Sequence, residues 1–105
     1  MPVQLERVPD ERLPEAVELV AYFVVAEALT NVAKYAAASR ATVDINRMNG
    51  KLVVQVKDDG VGGADPDSGT GLRGLSDRLA VIEGRLEIDS HPGRGTTVTA
   101  KIPCA

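Results

Sequence analysis

From Glu15 to about Ala37 the chain reads EAVELVAYFVVAEALTNVAKYAA, a stretch without Gly or Pro that is apolar around most of its circumference. This pattern predicts one long helix buried on several sides, and a helix that apolar has to be covered by another layer of structure. Pro14 suits the first turn of that helix, where a missing N–H costs nothing. Only 105 residues are available, 44% of them hydrophobic, which allows one domain, residues 1–105, with one core. Aromatic residues make up 3% and Trp is absent, so Val, Leu, Ile and Ala must fill that core.

The covering layer is legible in alternation. Pro2 to Arg7 alternates well enough for a short edge strand, and Pro9 to Leu13 is a polar connection. Thr42, Asp44 and Asn46 alternate with Val43, Ile45 and Arg47, Asn49-Gly50 is a strong two-residue turn, and Leu52 to Lys57 alternates again, which predicts an antiparallel hairpin. Gly71 to Glu83 reads as a second helix with Leu72, Leu75, Leu79 and Ile82 on one stripe and Gly84 as its stop. A second hairpin pairs Arg85–Ser90 with Thr96–Ile102 across His91–Gly95. This order predicts an α+β fold, a two-layer sandwich with helices on one face of a mixed, largely antiparallel sheet. Thr42, Asp44, Asn46 and Lys57 then face away from the helices, toward solvent or another domain.

Charge and composition exclude several functions. Twelve Lys and Arg against fifteen Asp and Glu give a net charge of -3, with no positive field to hold a nucleic-acid backbone. No apolar run approaches the roughly 20 residues that span a bilayer, and MPVQLERVPDE has no signal-peptide pattern, so a cytoplasmic location is expected. The single cysteine, Cys104, and the single histidine, His91, cannot make an internal disulfide or a Cys/His metal site. His91 reads as a surface turn residue.

The candidate chemistry lies in four places. Glu27, Thr30, Asn31 and Lys34 share an arc of roughly 100° on the long helix. A carboxylate, an amide and an ammonium there suit Mg²⁺, its waters and a phosphate, although a solvated helix edge gives the same pattern. Asp58-Asp59-Gly60-Val61-Gly62-Gly63 follows a strand, so a carboxylate is fixed at the strand end while glycines let a ligand approach the backbone; an ordinary turn reads the same way. Gly69-Thr70-Gly71-Leu72 opens the second helix, where free N–H groups and the helix dipole favour an anion. Gly93-Arg94-Gly95-Thr96-Thr97 is a hairpin turn by default. Neither the Rossmann glycine spacing nor a P-loop GK[ST] is present.

Taken together and in this order, the four segments resemble the ATP-binding domain of sensor histidine kinases, in the superfamily that also holds DNA gyrase, heat-shock chaperone and mismatch-repair ATPases. Glu27 to Tyr35 looks like the N box, Asp58 to Gly62 the first glycine box, Gly69 to Leu72 the second, and Gly93 to Thr96 the terminal glycine-threonine box. The short segment between Gly63 and Gly69 and the run beginning GLRGLSDR look most like the short-lid kinases related to nitrate and membrane-fluidity sensors. Members of that subgroup often carry His where this chain has Tyr35.

The resemblance implies a Bergerat-type ATP-binding fold with ATP and Mg²⁺ as cofactors. Asp58 would accept from the adenine amine, and Gly60 and Gly62 would let the base lie close to the backbone. Asn31 would ligate Mg²⁺, and Glu27 would orient a metal-bound water or assist proton transfer. Lys34 would approach the phosphates and Tyr35 would flank the nucleoside. Gly69, Thr70, Gly71 and Leu72 would cap the phosphates, and Thr96 would complete the floor beneath the base. The implied reaction is transfer of the γ-phosphoryl group to a histidine on a dimerisation domain, and from there to a response regulator. That acceptor is expected upstream, in a longer parent protein, and the chain itself is expected to be monomeric. Two other readings remain: an anti-sigma-factor-type serine kinase on the same fold, and a nucleotide-binding docking module without catalysis.

Overall fold

The computed structural model describes residues 3–7, 13–32, 40–60, 72–90 and 95–104. In chain order these form β1 (Val3–Arg7), α1 (Glu15–Asn31), β2 (Ala41–Met48), β3 (Lys51–Asp58), α2 (Leu72–Val81), β4 (Arg85–Ser90) and β5 (Thr96–Pro103). The strands make one sheet in the order β1-β2-β3-β5-β4. β1 runs parallel to β2 and every other pair is antiparallel, which is the mixed, largely antiparallel sheet expected. Parallel neighbours need a crossover, and α1 supplies it. Among the described residues no helix is long and apolar enough to cross a membrane.

Alternation decides the two faces of the sheet. Leu52, Val54 and Val56 of β3 and Val98, Ala100 and Ile102 of β5 are buried beneath the helices, while Lys51 and Lys57 are exposed on the other side. Asn49 and Gly50 both take positive φ, 52° and 74°, the conformation that suits the twist of a two-residue hairpin and fixes the β2–β3 register. α1 lies on β3 and β5, and α2 lies on β4 against α1. Val17, Ala21 and Val24 of α1 meet Leu75 and Leu79 of α2 and Leu52, Val54, Ala100 and Ile102 of the sheet in one aliphatic core. Each such large side chain contributes about 1.5–3 kcal/mol by leaving water.

Three details differ from the sequence reading. α1 is not buried on several sides: Leu19 and Tyr22 are 56% and 69% exposed, because a two-layer fold leaves the outer side of its helices to solvent. Pro14 is the N-cap rather than a first-turn residue. Its ψ of 140° is not helical, and its carbonyl accepts from the N–H groups of Val17 and Glu18, both at 3.0 Å. At the end of α2 the left-handed residue is Glu83, φ 61°, not Gly84. Gly84 N donates to Leu79 O at 2.7 Å and Glu83 N to Ala80 O at 3.1 Å, a Schellman pair in which Gly84 is the residue after the left-handed one. A Cβ on Gly84 would come within 3.2 Å of the Leu79 and Lys101 carbonyl oxygens, so close packing is what calls for glycine there.

Candidate functional site

Successive rows of cross-strand partners on the helix-bearing face change character at one end of the sheet. Val43, Val56, Val98 and Ile88 form an aliphatic row across β2, β3, β5 and β4. The next row toward that end is Ala41, Asp58, Thr96 and Ser90. A carboxylate and two hydroxyls thus follow directly on a hydrophobic wall.

Asp58 is 6% exposed and Thr96 8%. Asp58 Oδ1 accepts from Gly60 N at 2.8 Å, and among the described residues nothing hydrogen-bonds Oδ2. A buried carboxylate oxygen without a donor is costly, so among the described residues Oδ2 stands as an acceptor that a further donor would stabilise. Asp59 is exposed and differently engaged: its Oδ1 accepts from Arg40 N at 2.9 Å, and its own N–H donates to Arg40 O at 3.3 Å. That clasp ties the start of β2 to the residue after β3. Gly95, φ 78°, lets β5 start directly beside β3, since a Cβ there would overlap the Asp58 carbonyl oxygen. Ser90 Oγ lies 2.7 Å from Thr96 Oγ1.

The C-terminal turns of α1 overlie this end of the sheet, for Ala28 packs with Val43, Val56 and Val98. Glu27 faces α2 across a cleft of about 200 Å³ that Phe23, Gly74, Leu75 and Arg78 also line. The Arg78 guanidinium sits 4.6 Å from the Phe23 ring centroid and stabilises the approach of the two helices. Thr30, the fourth member of the polar stripe, donates instead to Ala26 O of its own helix at 2.8 Å. Asn31 occupies the last position of α1, one turn beyond Glu27, and its side chain lies outside the described part of the structure.

Of the residues singled out from sequence, the structure therefore joins Asp58, Gly60 and Thr96 at the end of the sheet, and places Glu27 on the side of α1 that faces α2 and Asn31 at the end of that helix. Leu72 opens α2, with its side chain outside the described part. Lys34, Tyr35, Gly62, Gly69, Thr70 and Gly71 lie outside the described residues. Sequence reasoning missed Ser90, Arg40 and the second role of Gly95. Ser90 had a signal, because it continues the inward alternation of Leu86 and Ile88 with a hydroxyl in place of an aliphatic side chain.

Comparison with known proteins agrees with this fold. Residues 16–105 match the family model described as histidine kinase-, DNA gyrase B-, and HSP90-like ATPase. Curated relatives include the oxygen sensor histidine kinase NreB of Staphylococcus carnosus, 38% identical over 97 residues that cover 89% of this chain and 28% of that protein. The histidine-protein kinase/phosphatase DegS of Brevibacillus brevis is 38% identical over 96 residues, 89% of this chain and 25% of its own length. Among solved structures, the blue-light activated histidine kinase EL346 of Erythrobacter litoralis superposes with a TM-score of 0.84 at 25% identity, over 97% of this chain and 35% of that one. The fold and the family match define an ATPase-type domain. The chain belongs to the histidine kinase-, DNA gyrase B- and HSP90-like ATPase family, and the two curated relatives named above are histidine kinases. It spans only about a quarter of the length of those curated relatives.

Proposed function

We propose that this chain is the single catalytic domain of a longer sensor kinase, binding Mg-ATP and presenting the γ-phosphoryl group to a histidine on a dimerisation domain, from which a response regulator is phosphorylated. The observation that carries the reading is Asp58, a buried carboxylate with one oxygen unpartnered among the described residues. An adenine amine supplies the missing donor, whereas guanine presents a carbonyl at the corresponding position and would be repelled. Gly60 N–H holds the carboxylate in place by its bond to Oδ1, and Thr96 faces the same base from β5. The histidine kinases among the relatives favour a histidine acceptor over a serine.

The donor set suits Mg²⁺. Glu27 and Asn31 offer hard oxygen ligands one helical turn apart, and among the described residues no cluster of three or more His, Cys, Asp or Glu could enclose an ion. Asn31 and Glu27 would hold Mg²⁺ with only a few protein oxygens, which would leave phosphate and water to complete its shell. Asn31 would hold it directly and Glu27 through a water. Its chemistry is neutralisation of phosphate charge during transfer. The chain's own task is to seat the base on Asp58 and Thr96 and aim the phosphates along the end of α1.

Asp58→Asn replaces the acceptor with an amide that turns a donor toward the base. ATP affinity is expected to fall about ten- to hundredfold, read by calorimetric titration, with the melting temperature near that of the parent. Unchanged affinity would contradict the assignment. Asn31→Ala is expected to remove the advantage Mg²⁺ gives to ATP binding, so that titrations with Mg²⁺ and with EDTA converge. Equal losses under both conditions would contradict the metal role.

A further inference from the structure

We propose that Ser90 is a positioning residue for base recognition, acting through its hydroxyl contact with Thr96. The inference rests on the reading of Asp58 and Thr96 as a base site. β5 lies between β3 and β4, so Thr96 has Asp58 opposite it on one side and Ser90 on the other. The two hydroxyl oxygens are 2.7 Å apart, close enough that one must donate to the other.

A hydroxyl has one proton and two acceptor sites, and a solitary one rotates to suit whatever approaches. Pairing removes that freedom. Either hydroxyl could donate across this contact; we assign Ser90 as the donor, the direction that leaves the Thr96 proton free for the base site. The row then presents an acceptor, the Asp58 carboxylate, beside a donor, the Thr96 O–H. Adenine matches this order, with its amine next to a bare ring nitrogen reached directly or through one water. Guanine offers a carbonyl next to a ring N–H, the reverse pattern. Ser90 thereby contributes to the preference for adenine without touching the nucleotide.

The test is calorimetric titration of the chain with Mg-ATP and Mg-GTP, with melting temperatures recorded alongside. Ser90→Ala is expected to lower the ratio of ATP to GTP affinity about two- to tenfold. Ser90→Thr, which keeps the hydroxyl, is expected to retain the ratio, and Ser90→Ala is expected to cost nothing further on a Thr96→Val background. An unchanged ratio in Ser90→Ala overturns the proposal, as does an equal loss for both nucleotides or the same loss with Thr96 already removed. Asp58→Asn, measured in parallel, separates the two levels. If it weakens ATP binding while Ser90→Ala leaves the ratio alone, only the role of Ser90 fails; if it leaves ATP binding intact, the base site fails and Ser90 with it.

Discussion

Asp58 and Asp59 are adjacent, chemically identical and opposite in fate. Strand alternation turns Asp58 inward with Leu52, Val54 and Val56, where it is buried with one oxygen unpartnered among the described residues, while Asp59 falls outside the strand and closes on the backbone of Arg40. The predicted loss of ATP affinity in Asp58→Asn is thus specific to one of two neighbouring carboxylates. This much was legible in the sequence, since the alternating run ending at Lys57 assigns a side to the next residue. Thr96 and Ser90 were less so: their meeting depends on the β4–β5 register, and no local pattern says which hydroxyl a third strand will bring near. The close approach of Gly95 to the Asp58 carbonyl was not legible at all, because it joins residues distant in sequence and only the folded sheet makes it.

At the scale of elements, periodicity located every described helix and strand, and the differences lie at their ends. Pro14 and Glu83 show why. Cap positions are decided by a single residue's ψ or φ and by which carbonyl is left free, and several neighbouring residues satisfy the same local preferences. Glu83 holds a left-handed conformation that disfavours a Cβ. Glu83→Gly is therefore expected to raise stability by about 0.5–1 kcal/mol, measured by urea unfolding, since relief of the Cβ clash outweighs the added freedom of the unfolded chain. A loss of stability would mean that the Glu83 side chain contributes more than its backbone strain costs. The misjudged burial of α1 has a different origin. Composition reports how apolar a helix is, but the number of layers packed on it is a property of the whole fold.

For the molecule as a whole, the fold assigns separate tasks to its parts. The aliphatic core joins the two helices to one face of the sheet, and α1 packs through Ala28 on the aliphatic row that adjoins the polar row at the sheet's end. The chain spans about a quarter of its curated relatives, and on the proposed reading nucleotide recognition is the activity it is expected to show alone. The most direct measurement is calorimetric titration of the unmodified chain with ATP, ADP and GTP in the presence of Mg²⁺. Saturable binding of both adenine nucleotides with GTP markedly weaker is the result expected of a site built on Asp58 and Thr96. Equal binding of ATP and GTP, or no binding by a chain shown to be folded, would contradict it.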